Sequence, residues 1–290
     1  MPCRLYKGGI QLKYACYFMT HNYYQNILPS LKSLLCNSDV DKVYLLIEDD
    51  DVGFKLPDKV ECINISKHKS MFKGSPNFQN DWAWIVLLRT AMTKLFPDCD
   101  RILSLDVDTL IVGDISELWN TRIGNNYIAG ALDLPLMLND RIYVNAGVLL
   151  WNLKQLRDGK DEELIQAINT RKYKYPEQDC LNALCEGRIY VLNGIYNSGD
   201  MSRDCGTPKI LHFAGRGIKK YMADPRVQAY KDLPWEKCVY GKTNKTALKN
   251  AVPVQKSGKF NLCGDCGSVL IVPKQKYCHE CGKPALWNNM

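Results

Sequence analysis

The chain has 290 residues, 46% hydrophobic and 24% charged, which is ample for one sizeable core and a small appendage. Its longest apolar runs, such as residues 82–88, fall far short of the roughly 20 residues a membrane-spanning helix needs, so a soluble or at most surface-associated chain is expected. The formal charge of +7 comes from the tail: residues 1–225 hold 27 basic and 27 acidic side chains, residues 226–290 hold 11 and 4.

In chain order, residues 12–19 (LKYACYFM) read as a first strand, followed by a loop over 20–24. Residues 25–36 predict a helix with Ile27, Leu28, Leu31, Leu34 and Leu35 at helical spacing and Pro29 in its first turn. Strands follow at 43–47 and 60–65, and the acidic run Glu48-Asp49-Asp50-Asp51 after the first of them reads as a solvated loop. After a polar loop over 66–80, residues 81–96 predict a strong helix, with Asn80 or Asp81 as N-cap and Pro97 as the stop. Ile102-Leu103-Ser104-Leu105 lacks polar alternation, as a buried strand of a parallel sheet does. Asp106-Val107-Asp108 comes next, then a second apolar run over 109–112 and a short helix opening within 114–119. Strands at 127–132, leading to Asp133, and at 143–151 precede helices at 161–170 and 178–185, the latter opened by Pro176-Glu177. Late strands fall at 188–192 and 209–213. This alternation predicts an α/β domain with a largely parallel sheet over residues 1–225.

Asp106 and Asp108, at i and i+2, would point to the same side of a strand. Two carboxylates side by side in a buried setting repel each other and lose hydration, and a divalent cation removes both costs. The alternative is a turn whose aspartates bond nearby backbone N–H groups. Their place at the end of a hydrophobic strand favours the cation, because α/β sites gather at strand ends.

Several features line up in order around that motif. Asn22-Tyr23 follows the first strand, and Arg89 stands seventeen residues before Asp106. After Asp106-x-Asp108 come Asp133, Asn145-Ala146-Gly147 and Glu177-Gln178-Asp179-x-Leu181-Asn182, then His212-Phe213-x-Gly215 and Lys219-Lys220. Singly, each has a plain structural explanation: Tyr23 as packing at a helix start, Arg89 as a surface residue, Asp133 as a turn cap, Asn145 as a turn residue, His212 as a core histidine. As an ordered set over roughly residues 12–225 they resemble glycosyltransferase family 8. These are the retaining GT-A enzymes that include bacterial lipopolysaccharide galactosyl- and glucosyltransferases and glycogenin.

The resemblance implies a Rossmann-like GT-A fold and a set of roles. Asp106, Asp108 and His212 would hold Mn²⁺, with Mg²⁺ a poorer fit, and the ion would bridge the diphosphate of a UDP-sugar. Tyr23 would lie against uracil, with Thr20 and Asn22 lining the nucleotide pocket. Arg89, Asp133, Asn145 and Gln178 would hold the donor sugar, and Lys219 or Lys220 would steady the diphosphate. Val107, Ala146 and Gly215 complete the donor-binding set. Gln178 matches the position nearest the anomeric carbon and, with Asp133, Arg89 and Asp179, forms the catalytic candidates. The chain departs from the family pattern in two places. Ile218 stands where Lys is usual, leaving Arg216 as an extra phosphate candidate, and Thr20-His21 stands where many members carry an acid.

The tail reads differently. Residues 226–259 form a basic linker region, whose 241–259 portion has five lysines and no acids. Residues 260–290 hold Cys263-x-x-Cys266-Gly and Cys278-x-x-Cys281-Gly, separated by eleven residues. Two such pairs can surround one tetrahedral Zn²⁺, giving a zinc ribbon with strands at 268–272 and 275–277. That metal would be structural, since four protein ligands leave no open position, and a segment this short needs such a staple to fold. The alternative is a redox-active dithiol. The basic tail suits anionic lipid, nucleic acid or an acidic protein, and it fits a solvated tether equally well. The other nine of the thirteen cysteines are scattered, and no secretory signal is expected from the opening residues. Free thiols in a reducing compartment follow, hence a cytoplasmic location, with peripheral attachment at the inner face of a membrane as an option.

The function expected is a metal-dependent retaining glycosyltransferase that moves glucose or galactose from UDP to a hydroxyl of a saccharide, lipid-linked glycan or protein. Two rivals are a metal-dependent nucleotidyltransferase and a catalytically idle UDP-sugar-binding protein that docks through its ribbon.

Overall fold

In a computed structural model of the protein, the described residues are 12–79, 83–137, 141–199, 207–215 and 217–240, with the backbone of strand segments at 6–7, 10–11, 261–262 and 269–270. β1 (Tyr6–Lys7) and β2 (Ile10–Gln11) form an antiparallel hairpin. The strands of the main body are β3 (Tyr14–Phe18), β4 (Lys42–Ile47), β5 (Val60–Asn64), β6 (Arg101–Leu105), β7 (Thr109–Ile111), β8 (Ile128–Leu132), β9 (Val144–Asn152), β10 (Ile189–Leu192) and β11 (Ile210–His212). Seven of them build one sheet in the order β10-β8-β9-β6-β3-β4-β5. β9 runs antiparallel to both β6 and β8, and the other neighbours are parallel. The mostly parallel α/β sheet expected from the sequence is therefore present.

Both faces of this sheet are covered. In β3 Tyr14, Cys16 and Phe18 join one buried cluster with Phe72, Leu88 and Trp151, while Ala15, Tyr17 and, just past the strand, Met19 join another with Ile27, Leu31 and Leu118. The period of two is intact, but both faces are apolar, which is why the strand shows no polar alternation. The helices are α1 (Leu28–Asn37), α2 (Met92–Leu95), α3 (Ser116–Asn120), α4 (Leu153–Leu156), α5 (Lys160–Thr170), α6 (Pro176–Leu184), α7 (Ile218–Ala223) and α8 (Pro225–Lys231). In α1, Pro29 sits in the first turn, as expected.

Three expectations need correction. The helix predicted over 81–96 is a 3-10 helix, Trp84–Ala91, passing into the single turn of α2; its expected caps Asn80 and Asp81 lie outside the described residues. The polar loop over 66–80 contains another 3-10 helix, Ser66–Phe72. The domain also continues past residue 225. Val227 and Tyr230 of α8 are buried with Leu110, Phe213 and Tyr221. Asn37 of α1 donates to the Tyr230 hydroxyl at 2.7 Å, and Lys32 Nζ donates to the Lys231 carbonyl at 2.5 Å. In the tail, β12 (Asn261–Leu262) pairs antiparallel with β13 (Val269–Leu270). The latter falls within the first expected ribbon strand. Cys263, Cys266, Cys278 and Cys281 and the strand expected at 275–277 lie outside the described residues. Among the described residues no helix is long and apolar enough to cross a membrane.

Candidate active site

Asp106 and Asp108 sit on a turn beyond the end of β6, not on the strand itself. The turn is closed by the Thr109 N–H, which donates to the Asp106 carbonyl at 3.2 Å. Backbone bonds clamp it from two sides: Asp106 N–H donates to the Gly147 carbonyl at 2.8 Å, and Phe213 N–H donates to the Asp108 carbonyl at 3.0 Å. From beneath, a hydroxyl chain supports it. Thr109 Oγ1 donates to the Asp106 carbonyl at 2.7 Å, which leaves Ser30 to donate to Thr109 and Tyr17 to donate to Ser30, each at 3.0 Å. Burial pushes the Tyr17 hydroxyl well above its usual range, so it stays protonated for that task.

Strand direction explains what meets this turn. The C-terminal ends of β3, β6 and β8 lie at one edge of the sheet, and antiparallel β9 starts there, with Val148 opposite Leu105 and Val144 opposite Leu132. Asn145, Ala146 and Gly147 thus reach the site that Thr20, Asp106 and Asp133 reach from their own strand ends. β11 pairs antiparallel with β7, placing His212 opposite Thr109.

His212 Nε2 lies 3.4 Å from Asp108 Oδ1 and 3.5 Å from Asp106 Oδ2, and one ligand atom from each residue falls within 4.8 Å of the others. Bonds of about 2.1 Å to a hard cation would place adjacent ligands roughly 3 Å apart, so little movement is needed. Two carboxylate oxygens and one imidazole suit an octahedral divalent ion that keeps open positions for oxygen ligands. Burial alone would lower the His212 pKa, but the facing Asp108 and Asp106 carboxylates push it up to about 10. A proton on Nε2 thus stands in for the cation, and the electrostatics already call for positive charge there. The residues fit a metal ion.

Arg89 is the second cation of the site. Its side chain is 4% exposed, and it donates to Asp106 Oδ1 and, at 3.0 Å, to Glu177 Oε1. Burial raises the Asp106 carboxyl, yet Arg89 and His212 together hold it far below the usual carboxylate range. Glu177 behaves oppositely: burial pushes its carboxyl up, and Arg89 offsets only part of that.

Of the residues expected around the donor sugar, Asp133, Asn145 and Gln178 form one network, while Arg89 stands apart on Asp106 and Glu177. Gln178 Oε1 accepts the Ala146 N–H at 2.8 Å, and its Nε2 donates to Asp133 Oδ2 and to the Tyr143 hydroxyl, each at 3.3 Å. Asn145 Nδ2 donates to Asp133 Oδ2 at 3.1 Å. Asp133 Oδ1 and Arg89 Nε are buried with no hydrogen-bond partner, and such atoms carry a desolvation cost until a ligand hydroxyl supplies one. Asp179 faces elsewhere: it accepts from the Tyr143 hydroxyl and from the N–H groups of Tyr175 and Lys174 at 2.8 and 3.1 Å. Three donors occupy it at the start of α6.

The nucleotide side is more open. His21–Tyr23 is a 3-10 turn after β3, and Tyr23 is 38% exposed, free to offer a ring face. Thr20 is half-buried and Asn22 exposed. Gly215 adopts φ +71°, a conformation glycine tolerates, in the turn leading from β11 to α7. Lys219 and Lys220 are exposed on the first turn of α7, and Arg216 lies outside the described residues.

The structure adds four residues to the expected set. Glu177 was visible within its motif but carried no role. Tyr143 precedes Asn145 in sequence and gave only a strand signal. Gly147 is required because of the His212 ring beside it. Asn197, whose Oδ1 lies 2.8 Å from His212 Nδ1, sits after a one-turn 3-10 helix in a stretch without periodicity. Nothing in the sequence singled it out.

A mostly parallel α/β sheet with an Asp-x-Asp turn and a returning histidine at its strand ends defines a GT-A glycosyltransferase fold. The galactosyltransferase LgtC, solved in complex with donor and acceptor sugar analogues, superposes with a TM-score of 0.59 at 18% identity, covering 78% of this chain and 100% of that one. The glycosyltransferase GlyE of Streptococcus pneumoniae TIGR4 superposes with a TM-score of 0.55 at 20% identity, over 78% of this chain and 62% of that one. Residues 15–219 match glycosyl transferase family 8, and the chain belongs to that family. A putative glycosyltransferase of Haemophilus influenzae is 34% identical over 153 residues, 47% of this chain and 46% of the relative. The lipopolysaccharide 1,2-glucosyltransferase of Escherichia coli K12 is 33% identical over 113 residues, 34% of this chain and 33% of the relative. The aligned segments thus span less than half of either relative's length.

Proposed function

We propose that the chain is a divalent-metal-dependent, retaining hexosyltransferase that moves glucose or galactose from a UDP-sugar to an acceptor hydroxyl on a saccharide, lipid-linked glycan or protein. The observation that carries this reading is the convergence of Asp106, Asp108 and His212 within ligating reach of one point. Beside it stand the Asp133–Asn145–Gln178 network and Arg89, which is bonded to Asp106 and Glu177. Family membership supports the nucleotide-sugar donor. A glucosyltransferase and a galactosyltransferase among the similar proteins make UDP-glucose and UDP-galactose the first donors to test.

A bound Mn²⁺ or Mg²⁺ would neutralise charge on the departing diphosphate. Arg89 fixes Asp106 by Oδ1 and leaves Oδ2 free toward that ion. The partnerless Asp133 Oδ1 would accept a donor-sugar hydroxyl, orienting the ring. Gln178 is pinned through its oxygen by Ala146, and an amide so held is a poor nucleophile. Retention, which the family implies, then rests on attack and departure on one face, with positioning and charge stabilisation as the main contributions. Tyr23, Thr20 and Asn22 would hold the base, and Lys219 or Lys220 the diphosphate. Asp179, with three donors of its own, orders the start of α6 beneath Gln178.

The two cysteine pairs would bind one structural Zn²⁺, and the basic residues before them would meet an anionic surface or acidic protein, consistent with a cytoplasmic enzyme held at a membrane face. Metal analysis of the purified chain should return one zinc per chain, lost in Cys281→Ser.

The deciding assay is UDP release from UDP-glucose and UDP-galactose with and without Mn²⁺. UDP rather than pyrophosphate should appear, only with the cation, and Asp108→Ala should abolish it. Release of pyrophosphate would assign a nucleotidyltransferase, and tight binding without turnover across acceptors a sensor.

A further inference from the structure

The direction of the hydrogen bonds around His212 is set by a backbone group. Gly147 N–H can only donate, and it donates to Asn145 Oδ1 at 2.9 Å. Asn145 Nδ2 in turn donates to the Asp133 carboxylate, so the orientation of this amide is fixed at both ends. The atom of Asn197 that lies 3.0 Å from Asn145 Oδ1 must therefore be its Nδ2. That leaves Asn197 Oδ1 facing His212 Nδ1 at 2.8 Å. An amide oxygen has no hydrogen to give, so His212 Nδ1 carries one.

We infer that Asn197 is a positioning residue, which keeps His212 Nδ1 protonated and thereby leaves Nε2 as the nitrogen offered to a cation between Asp106 and Asp108. A ligating histidine is commonly oriented by an acceptor for its other ring nitrogen. Here the acceptor is itself held, through Asn145, by the carboxylate that Gln178 also bonds. One continuous chain of bonds thus runs His212–Asn197–Asn145–Asp133–Gln178, joining the metal end of the site to the sugar end. Asn197 and His212 are both buried, so water does not compete for these bonds. The backbone secures the same segment: His212 N–H donates to the Ser198 carbonyl at 2.7 Å, and a Cβ at Gly199 would stand 2.3 Å from the His212 carbonyl oxygen.

The inference rests on the metal-dependent reading only for what Nε2 is used for, and two measurements separate them. In ¹⁵N-histidine-labelled protein, where four histidines give a simple spectrum, the His212 ring should show a hydrogen-bonded proton on Nδ1, with and without Mg²⁺. A bare Nδ1 would overturn the inference with no variant needed. In a Mn²⁺ titration followed by electron paramagnetic resonance, Asn197→Leu should bind Mn²⁺ about 10- to 100-fold more weakly than wild type. Asn197→Asp, which restores an acceptor for Nδ1, should recover most of that loss. Wild-type Mn²⁺ affinity in a folded Asn197→Leu would also overturn it. A wild type that shows the Nδ1 proton but binds no Mn²⁺ would bring down the metal reading while the role of Asn197 in holding the ring stands.

Discussion

A side chain at Gly147 and the ring of His212 exclude each other. A Cβ built at 147 would stand 2.1 Å from the ring Cε1, 2.7 Å from Nε2 and 2.8 Å from Nδ1. Gly147→Ala should therefore drive the ring off its place between the carboxylates. The expected result is at least a tenfold loss of Mn²⁺ affinity, with a stability cost of about 1–3 kcal/mol from overpacking. Unchanged affinity by calorimetry would show that the ring is not held where the geometry puts it.

Arg89 balances two carboxylates at once, Asp106 and Glu177. Arg89→Met leaves Glu177 without its buried counter-charge and Asp106 with His212 alone, and should cost about 3–5 kcal/mol in metal-free protein. Added Mn²⁺ supplies positive charge on the other side of Asp106, so it should stabilise the variant more than it stabilises wild type. Urea unfolding with and without Mn²⁺ measures this. Equal increments in the two proteins would mean that guanidinium and cation do not share the carboxylate.

Ser30 links a helix to the Asp-x-Asp turn through the Thr109 hydroxyl. Ser30→Ala leaves the Tyr17 hydroxyl, fully buried, without its acceptor. A loss of about 1–3 kcal/mol is expected by denaturant unfolding. The double variant with Tyr17→Phe should regain part of it, since the stranded hydroxyl is gone. A double variant no better than the single one would refute the relay.

Asp224 caps α8. Its Oδ1 accepts the Arg226 N–H at 2.9 Å, and the Arg226 guanidinium grips both oxygens at 3.0 and 2.8 Å. Burial raises its carboxyl, but Arg226 and the capped N–H groups override that and hold it below its ordinary value. A lowered folded pKa contributes stability that is fully present above the unfolded value, near 3.9, and is lost as pH falls through the folded one. Asp224→Ala should thus cost about 1 kcal/mol at pH 7 and progressively less below about pH 4. A gap in urea midpoint that stays constant down to pH 3 would show that the charge is not what stabilises the cap.

The strands of the sheet were legible because their apolar runs are short, bounded and buried on both faces. The convergence of Asp106, Asp108 and His212 was legible from the ordered motifs that carry the family resemblance. What failed has physical causes. Nearly every residue from Trp84 to Ala91 is buried, so the run lacks the polar face that separates a period of 3.6 from one of 3.0. The aspartates read as strand residues because apolar runs flank them, whereas the bend between is imposed by Gly147 and Phe213 from distant segments. Asn197 was invisible because its partners are His212 and Asn145, and adjacency of that kind is created only when the Ser198 segment bridges β11, which itself pairs with β7.

That same pairing has a consequence for how the protein comes into being. Asp106 and Asp108 leave the ribosome long before the stretch that ends in His212, and Phe213 N–H is one of the two backbone bonds that hold their turn. A half-made chain therefore owns the two acids without the imidazole or the full clamp. Catalytic competence should arrive abruptly, with one of the final pieces of the domain to be translated, and a fragment terminated before β11 should be inert however well its sheet has formed.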